Sequence, residues 1–176
     1  VVLIGSRSDD LPARKALQRE IDAFQRAGGR VVSVGQPLLG VDTVAPENAA
    51  GAEALAHSLV AHGHRSFAVL GGPAELLTAR DRLDGFRSGL RSRGVELQDR
   101  DVIHGAFTRD GGYEAMSTVL ADPGRLPSCI FAVNDVMAVG ALARLRAEGL
   151  RVPDDVALAG FDDIVTVRDV SPPLTT

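Results

Sequence analysis

The chain has 176 residues, of which 45% are hydrophobic and 24% charged, enough to bury a core of its own in water. A net charge of −4, 4% aromatic residues and no Trp argue against a surface given over to DNA or to stacked single-stranded bases. Cys129 stands alone, so no intrachain disulfide is possible, and no apolar run approaches the ~20 residues of a membrane span.

Residues 1–5 read as a strand and lack the basic leader of a secretory signal. Pro12 opens a helix whose Ala13, Leu17, Ile21 and Phe24 form one apolar stripe, closed by Gly28-Gly29. Residues 31–34 are the next strand, completing a βαβ unit with a right-handed crossover. Residues 36–45, with Pro37, Gly40 and a polar break at Asp42-Thr43, read as a connection, and a subdomain boundary is expected there. Pro46 begins a helix in which Ala52, Leu55, Ala56 and Leu59 recur on one face, and Gly63 stops it.

Residues 67–70 form a buried strand ending in Gly71-Gly72-Pro73. A helix around Leu83, Phe86 and Leu90 follows, interleaved with Arg80, Arg82, Arg87, Arg91 and Arg93, and ends at Gly94. After a short strand at Val102-Ile103, Thr108 caps a helix carrying Tyr113, Met116, Val119 and Leu120, which Asp122-Pro123-Gly124 terminates. The strand at 130–133 runs straight into Asn134-Asp135 and a helix whose Ala138, Val139, Leu142 and Leu145 face the core. A last strand in 156–161 meets Asp162-Asp163, before an irregular tail with Pro172-Pro173. Strands alternating with helices in this way give an α/β fold with doubly wound parallel sheets.

Signatures of catalysis are missing: there is no phosphate-binding G-x-x-x-x-G-K-[ST], no G-x-S-x-G, no H-E-x-x-H and no dinucleotide loop. His57 lies mid-helix, and His62 and His64 flank the Gly63 stop without the further ligands a metal needs. Cys129, just before a buried strand, reads as an inert thiol. No catalytic residue, metal site or cofactor is expected. Asn134-Asp135 reads equally as a helix cap or as ligand contact. In open α/β sheets, ligands sit outside the carboxyl ends of the strands. The strand ends at Gly72, Phe107, Asn134 and Asp162 share that rim, and Arg82 can reach it. A guanidinium, an amide and a carboxylate can fix neighbouring hydroxyls of a sugar, and Phe107 can pack on its ring.

Seven segments, in order, resemble the effector-binding core of the LacI/GalR family of bacterial transcription regulators. They are Asn48-Ala49-Ala50-Gly51-Ala52, Gly63-His64-Arg65-Ser66-Phe67-Ala68 and Arg82-Leu83-Asp84-Gly85-Phe86-Arg87. There follow Asn134-Asp135-Val136-Met137-Ala138-Val139-Gly140, Val152-Pro153-Asp154-Asp155-Val156, Gly160-Phe161-Asp162-Asp163 and Pro172-Pro173-Leu174-Thr175-Thr176. Where family members usually carry Asp-Asn, this chain has Glu47-Asn48.

The resemblance implies a periplasmic-binding-protein-like (type I) fold of two subdomains, with residues 1–45 an incomplete first, 46–170 the second, and 171–176 crossing back toward the first. It implies an effector, a sugar or related molecule, held in the cleft by Arg82, Asn134 and Asp162. Phe107 would pack on the ligand ring, and Glu75 and Leu76 would line the cleft. Homodimerisation through this core, a cytoplasmic location, no membrane partner and a DNA operator are implied as well. The operator would be read by an amino-terminal helix-turn-helix outside these residues. The alternative is the sugar-binding protein of an ABC transporter, which shares fold and cleft and would carry an upstream signal peptide instead.

Overall fold

The computed structural model describes residues 1–176, the side chain of Pro123 excepted. Two parallel sheets share the chain. The first has strands β1 (Val2–Ile4), β2 (Val32–Val34) and β3 (Asp42–Val44) in that order. Helix α1 (Leu11–Arg26) connects β1 to β2; the Asp10 carboxylate starts it by accepting the Ala13 N–H at 3.1 Å, with Pro12 in its first turn.

Two expectations fail here. The stretch read as a connection contains β3, in register with β2 through Val32↔Asp42, Ser33↔Thr43 and Val34↔Val44. Its pairing is a backbone matter at a sheet edge, so Asp42 and Thr43 cost it little, and hydropathy alone could not reveal it. Phe24 belongs to the expected stripe but is 44% exposed, with Ile21 the only buried residue of α1. A 16-residue helix is ~24 Å long, whereas strands of three residues give a sheet only ~10 Å deep, too short to cover both ends.

The second sheet is built from β4 (Phe67–Leu70), β5 (Val102–Ile103), β6 (Cys129–Ala132) and β7 (Ala157–Ala159), all parallel, in the order β5-β4-β6-β7. Right-handed crossovers put α3 (Leu77–Ser92) on one face and α4 (Arg109–Leu120) and α5 (Asp135–Ala147) on the other. Helix α2 (Asn48–Ala61) packs against α3. Each helix pair crosses at glycine. A Cβ on Gly85 would lie 2.1 Å from the Ala49 carbonyl oxygen, and one on Gly140 only 1.8 Å from that of Arg109. Backbones therefore touch where any side chain would force them apart.

Between the layers, the rings of Phe86 and Phe131 stack at 4.5 Å and Phe67 meets Phe86 edge-on at 5.7 Å. Met137, Ala138, Ala141, Leu142 and Leu145 carry the inner face of α5, and Val139, expected there, is only half-buried at its margin. From β4 the chain moves outward to β5, then crosses back to β6 and β7. The carboxyl ends of β4 and β6 thus lie side by side where the winding reverses, the place at which open α/β sheets form a crevice.

Candidate functional site

Arg82 projects from the second turn of α3 into that crevice and is 6% exposed. Its Nε donates to Asn48 Oδ1 at 2.8 Å, Nη1 to the Val133 carbonyl at 2.7 Å and Nη2 to Asp162 Oδ1 at 2.6 Å. The guanidinium carbon lies 4.2 Å from the centroid of the Phe161 ring. The same ring fills the space beside Gly51, where a Cβ would come within 3.0 Å. A buried cation is thereby matched by a carboxylate, two neutral acceptors and an aromatic face, and at least two of its five N–H groups remain for other partners.

The partner carboxylate sits on strained backbone. Asp162 has φ 113° and Asp163 φ 47°, the left-handed region that non-glycine residues avoid. Asp135 holds this turn from both sides: its N–H donates to the Phe161 carbonyl at 2.9 Å, and its Oδ2 accepts the Ile164 N–H at 2.9 Å. The tail adds two bonds, from Gly160 N–H to the Thr175 carbonyl at 2.7 Å and from Asp163 N–H to Thr176 Oγ1 at 3.1 Å. Thr175 also pairs alongside Ala159 of β7.

Asn134 is 3% exposed and caps α5, its Oδ1 accepting the Met137 N–H at 2.7 Å. The cap is thus part of its role, and Asp135 is the structural member of the pair. Phe107 is half-buried over Gly72, where a Cβ would meet its ring at 2.8 Å. Thr108 caps α4 through Gly111 N–H at 3.0 Å, as its sequence position suggests.

Glu75 and Leu76 lead into α3, and there the two sheets meet. Leu76 occupies the cap position but has no group to cap with. The first sheet's loop supplies the acceptors instead: Leu77 N–H donates to the Arg7 carbonyl at 2.9 Å and Thr78 N–H to Ser6 Oγ at 3.2 Å. Around them Asp9 N–H donates to the Glu75 carbonyl at 3.3 Å, and Ser8 pairs antiparallel with Leu76. Gln36 Nε2 reaches Thr78 Oγ1 at 3.0 Å and Asp81 Oδ2 at 3.3 Å.

The structure therefore brings Arg82, Asp162 and the Asn134 strand end together, places Phe107 over the neighbouring strand end, and puts Glu75 and Leu76 on the seam between sheets. Sequence reasoning missed Asn48 and Phe161, although both lie in segments that carry the family resemblance. It missed Ser6, Arg7 and Gln36 altogether, because nothing local marks a residue that caps a helix 70 positions away.

Other residues of chemical interest lie away from the rim. Cys129 is fully buried, and desolvation pushes its thiol up to about 12. His62 Nδ1 lies 2.8 Å from the Ser58 carbonyl oxygen and His57 Nε2 2.8 Å from Ser92 Oγ. Among the described residues no three His, Cys, Asp or Glu side chains gather as metal ligands, and no helix is long and apolar enough to cross a membrane.

With this geometry in view, the relatives are informative. Residues 56–176 match the family of periplasmic binding protein-like domains. Over 118 residues, 67% of the chain, identity is 39% to the HTH-type transcriptional repressor PurR of Pasteurella multocida, of which the match covers 35%. Over 149 residues, 85% of the chain, identity is 37% to the HTH-type transcriptional regulator CelR of Thermobifida fusca, of which 43% is covered. The chain thus matches less than half the length of these two regulators.

Among solved structures, a complex of the transcriptional regulator CelR with cellobiose superposes with a TM-score of 0.79 at 34% identity, covering 99% of this chain and 52% of that one. A LacI-family regulatory protein from Chloroflexus aggregans gives 0.83 at 27% identity, covering 98% and 60%. The chain belongs to the periplasmic-binding-protein-like family, as an effector-binding domain of the LacI/GalR type.

Proposed function

We propose that this chain is the effector-sensing and dimerising core of a DNA-binding transcriptional repressor that responds to a small polar ligand, a sugar. The ligand lies between the subdomains, residues 1–45 belonging to the first, 46–170 to the second and 171–176 returning toward the first. Arg82, Asn134 and Asp162 hold its hydroxyls, Phe107 packs on its ring, and Glu75 and Leu76 close the pocket from the seam. The observation that carries this reading is the ion pair between the buried Arg82 and Asp162, set beyond the adjacent carboxyl ends of β4 and β6. The cellobiose in the related CelR complex supports a sugar as the ligand class.

No step of chemistry is required. The ligand's binding energy would favour one arrangement of the two sheets over another, and a DNA-binding segment reading that arrangement would complete a reciprocal coupling between effector and operator in the cytoplasm. A melting-temperature screen of the complete protein against pentoses, hexoses, disaccharides and nucleobases tests the class. A ligand at ~100 times its Kd stabilises by about 2.7 kcal/mol, so a true effector stands out clearly. A nucleobase raising the midpoint while every sugar fails would overturn the sugar assignment.

A further inference from the structure

Asp135 is the only carboxylate among the described residues that is fully withdrawn from water. The helix it begins does not require this: α5 is already capped by Asn134, and an exposed acid in the first turn would suit the helix dipole as well. One oxygen, Oδ2, accepts the Ile164 N–H at 2.9 Å. The other, Oδ1, is buried with no hydrogen-bond partner. A Cβ built on Gly160 would lie 2.2 Å from Oδ1, so this oxygen is pressed against the Gly160 α-carbon.

The backbone of Asp135 completes the arrangement, its N–H donating to the Phe161 carbonyl at 2.9 Å. One residue therefore grips the turn at Gly160, Phe161 and Ile164. Between the last two grips lie only Asp162 and Asp163, the pair with φ 113° and 47°. Backbone of that kind persists only where its surroundings over-determine it, and Asp135 supplies contacts on both sides of the strain. The conformation so held aims Asp162 Oδ1 at Arg82 Nη2, 2.6 Å away.

We propose that Asp135 is a positioning residue of the effector site. Being fully buried, it touches no ligand. By clamping the turn it sets the aim of Asp162 at Arg82, and through that pair it sets the affinity for the effector. The link to affinity rests on the reading that Arg82 and Asp162 hold the effector; the clamp on Arg82 does not.

Two measurements on the complete protein test this. The first needs no ligand: the rate at which phenylglyoxal modifies Arg82, followed by peptide mass. Asp162→Asn removes the counter-charge of Arg82 and quickens the reaction. Asp135→Ala quickens it to a similar degree, and the double change adds nothing further, because one residue acts through the other. Leu145→Ala, fully buried farther along α5, lowers the melting midpoint yet leaves the Arg82 rate at its wild-type value.

The second measurement is calorimetric titration with cellobiose. Asp135→Ala weakens binding on the order of tenfold, and the same change made in Asp162→Asn weakens it no further. Asp135→Asn, which keeps an oxygen for the Ile164 N–H, recovers part of both losses. Should Asp135→Ala fail to fold, Gly160→Ala takes its place, since the added Cβ displaces the same carboxylate. Failure of cellobiose to bind the wild type counts against the sugar reading alone, and the Arg82 rates then decide this one. A wild-type Arg82 rate in Asp135→Ala, or effects that add fully to those of Asp162→Asn, overturns the proposal.

Discussion

The two sheets of this chain distribute their apolar residues in opposite ways. In the second, β4 and β6 are buried along their whole length, helices cover both faces, and one continuous core runs from Ala52 on α2 to Ala159 on β7. In the first, only Ile21, Val31 and Leu39 are fully withdrawn from water in the core, while Val2, Ile4, Val32 and Val44 stand 38–75% exposed. The register Ile4↔Val34↔Val44 sets these exposed positions on one face, opposite the face that α1 covers. A sheet with so little buried area holds its place through its contacts, and the strongest of these are the bonds that cap α3. The second sheet is the packed frame for Arg82; the first has a small core of its own and is joined to that frame through polar contacts at the start of α3.

The largest disturbance should come from the frame's centre. Phe131→Ala removes a fully buried ring stacked on Phe86 and should cost about 4 kcal/mol, read from the urea midpoint. Arg82→Met should come next at ~3 kcal/mol, since it strands Asn48 and the Val133 carbonyl; the pair with Asp162 contributes less than a fully buried one because that carboxylate is 35% exposed. Gly140→Ala, with 1.8 Å of room against Arg109, should cost about 2 kcal/mol by forcing α4 and α5 apart.

Ile21→Ala separates the two sheets most cleanly. Amides of β1 to β3 should lose hydrogen-exchange protection, while Cys129, buried in β6, keeps the slow thiol labelling of the wild type. Faster labelling would mean that the sheets unfold as one. The thiol also carries a pH signature. Its folded value of about 12 lies above its ordinary 9.0, so stability contributed by the neutral thiol is intact below pH 9 and falls as pH rises toward 12. The smallest effect, ~1 kcal/mol, belongs to Ser6→Ala, which removes one acceptor from the N-terminus of α3 and should raise exchange at Thr78.

Much of this was legible beforehand. Hydrophobic periodicity located the five α-helices, four of which bury several residues against the second sheet or a neighbouring helix, and the caps at Thr108 and Asn134 declared themselves by residue type. The strand β3 stayed hidden because pairing through the backbone leaves no pattern in three residues, two of them polar. Phe24 misled because periodicity says which face of a helix is apolar and nothing about how far the sheet beneath it extends. At the site, Arg82 and Asp162 could be named from family resemblance. What could not be read was how Arg82 is held, since Asn48, Phe161 and the Val133 carbonyl come from three different elements. The trans capping of α3 by Ser6 and Arg7 depends wholly on how the sheets meet.

The central claim is that the Arg82–Asp162 pair holds the effector, and Asp162→Asn isolates it. Asparagine tolerates the left-handed backbone at this position and keeps a hydrogen-bonding oxygen, so the fold should survive while the charge is lost. The measurement is a calorimetric titration of wild type and Asp162→Asn with the sugar that most raises the melting midpoint. A loss of affinity of tenfold or more, ~1.4 kcal/mol, is expected, beside a modest fall in the unfolding midpoint because Arg82 loses its counter-charge. Equal affinity in the two proteins would contradict it.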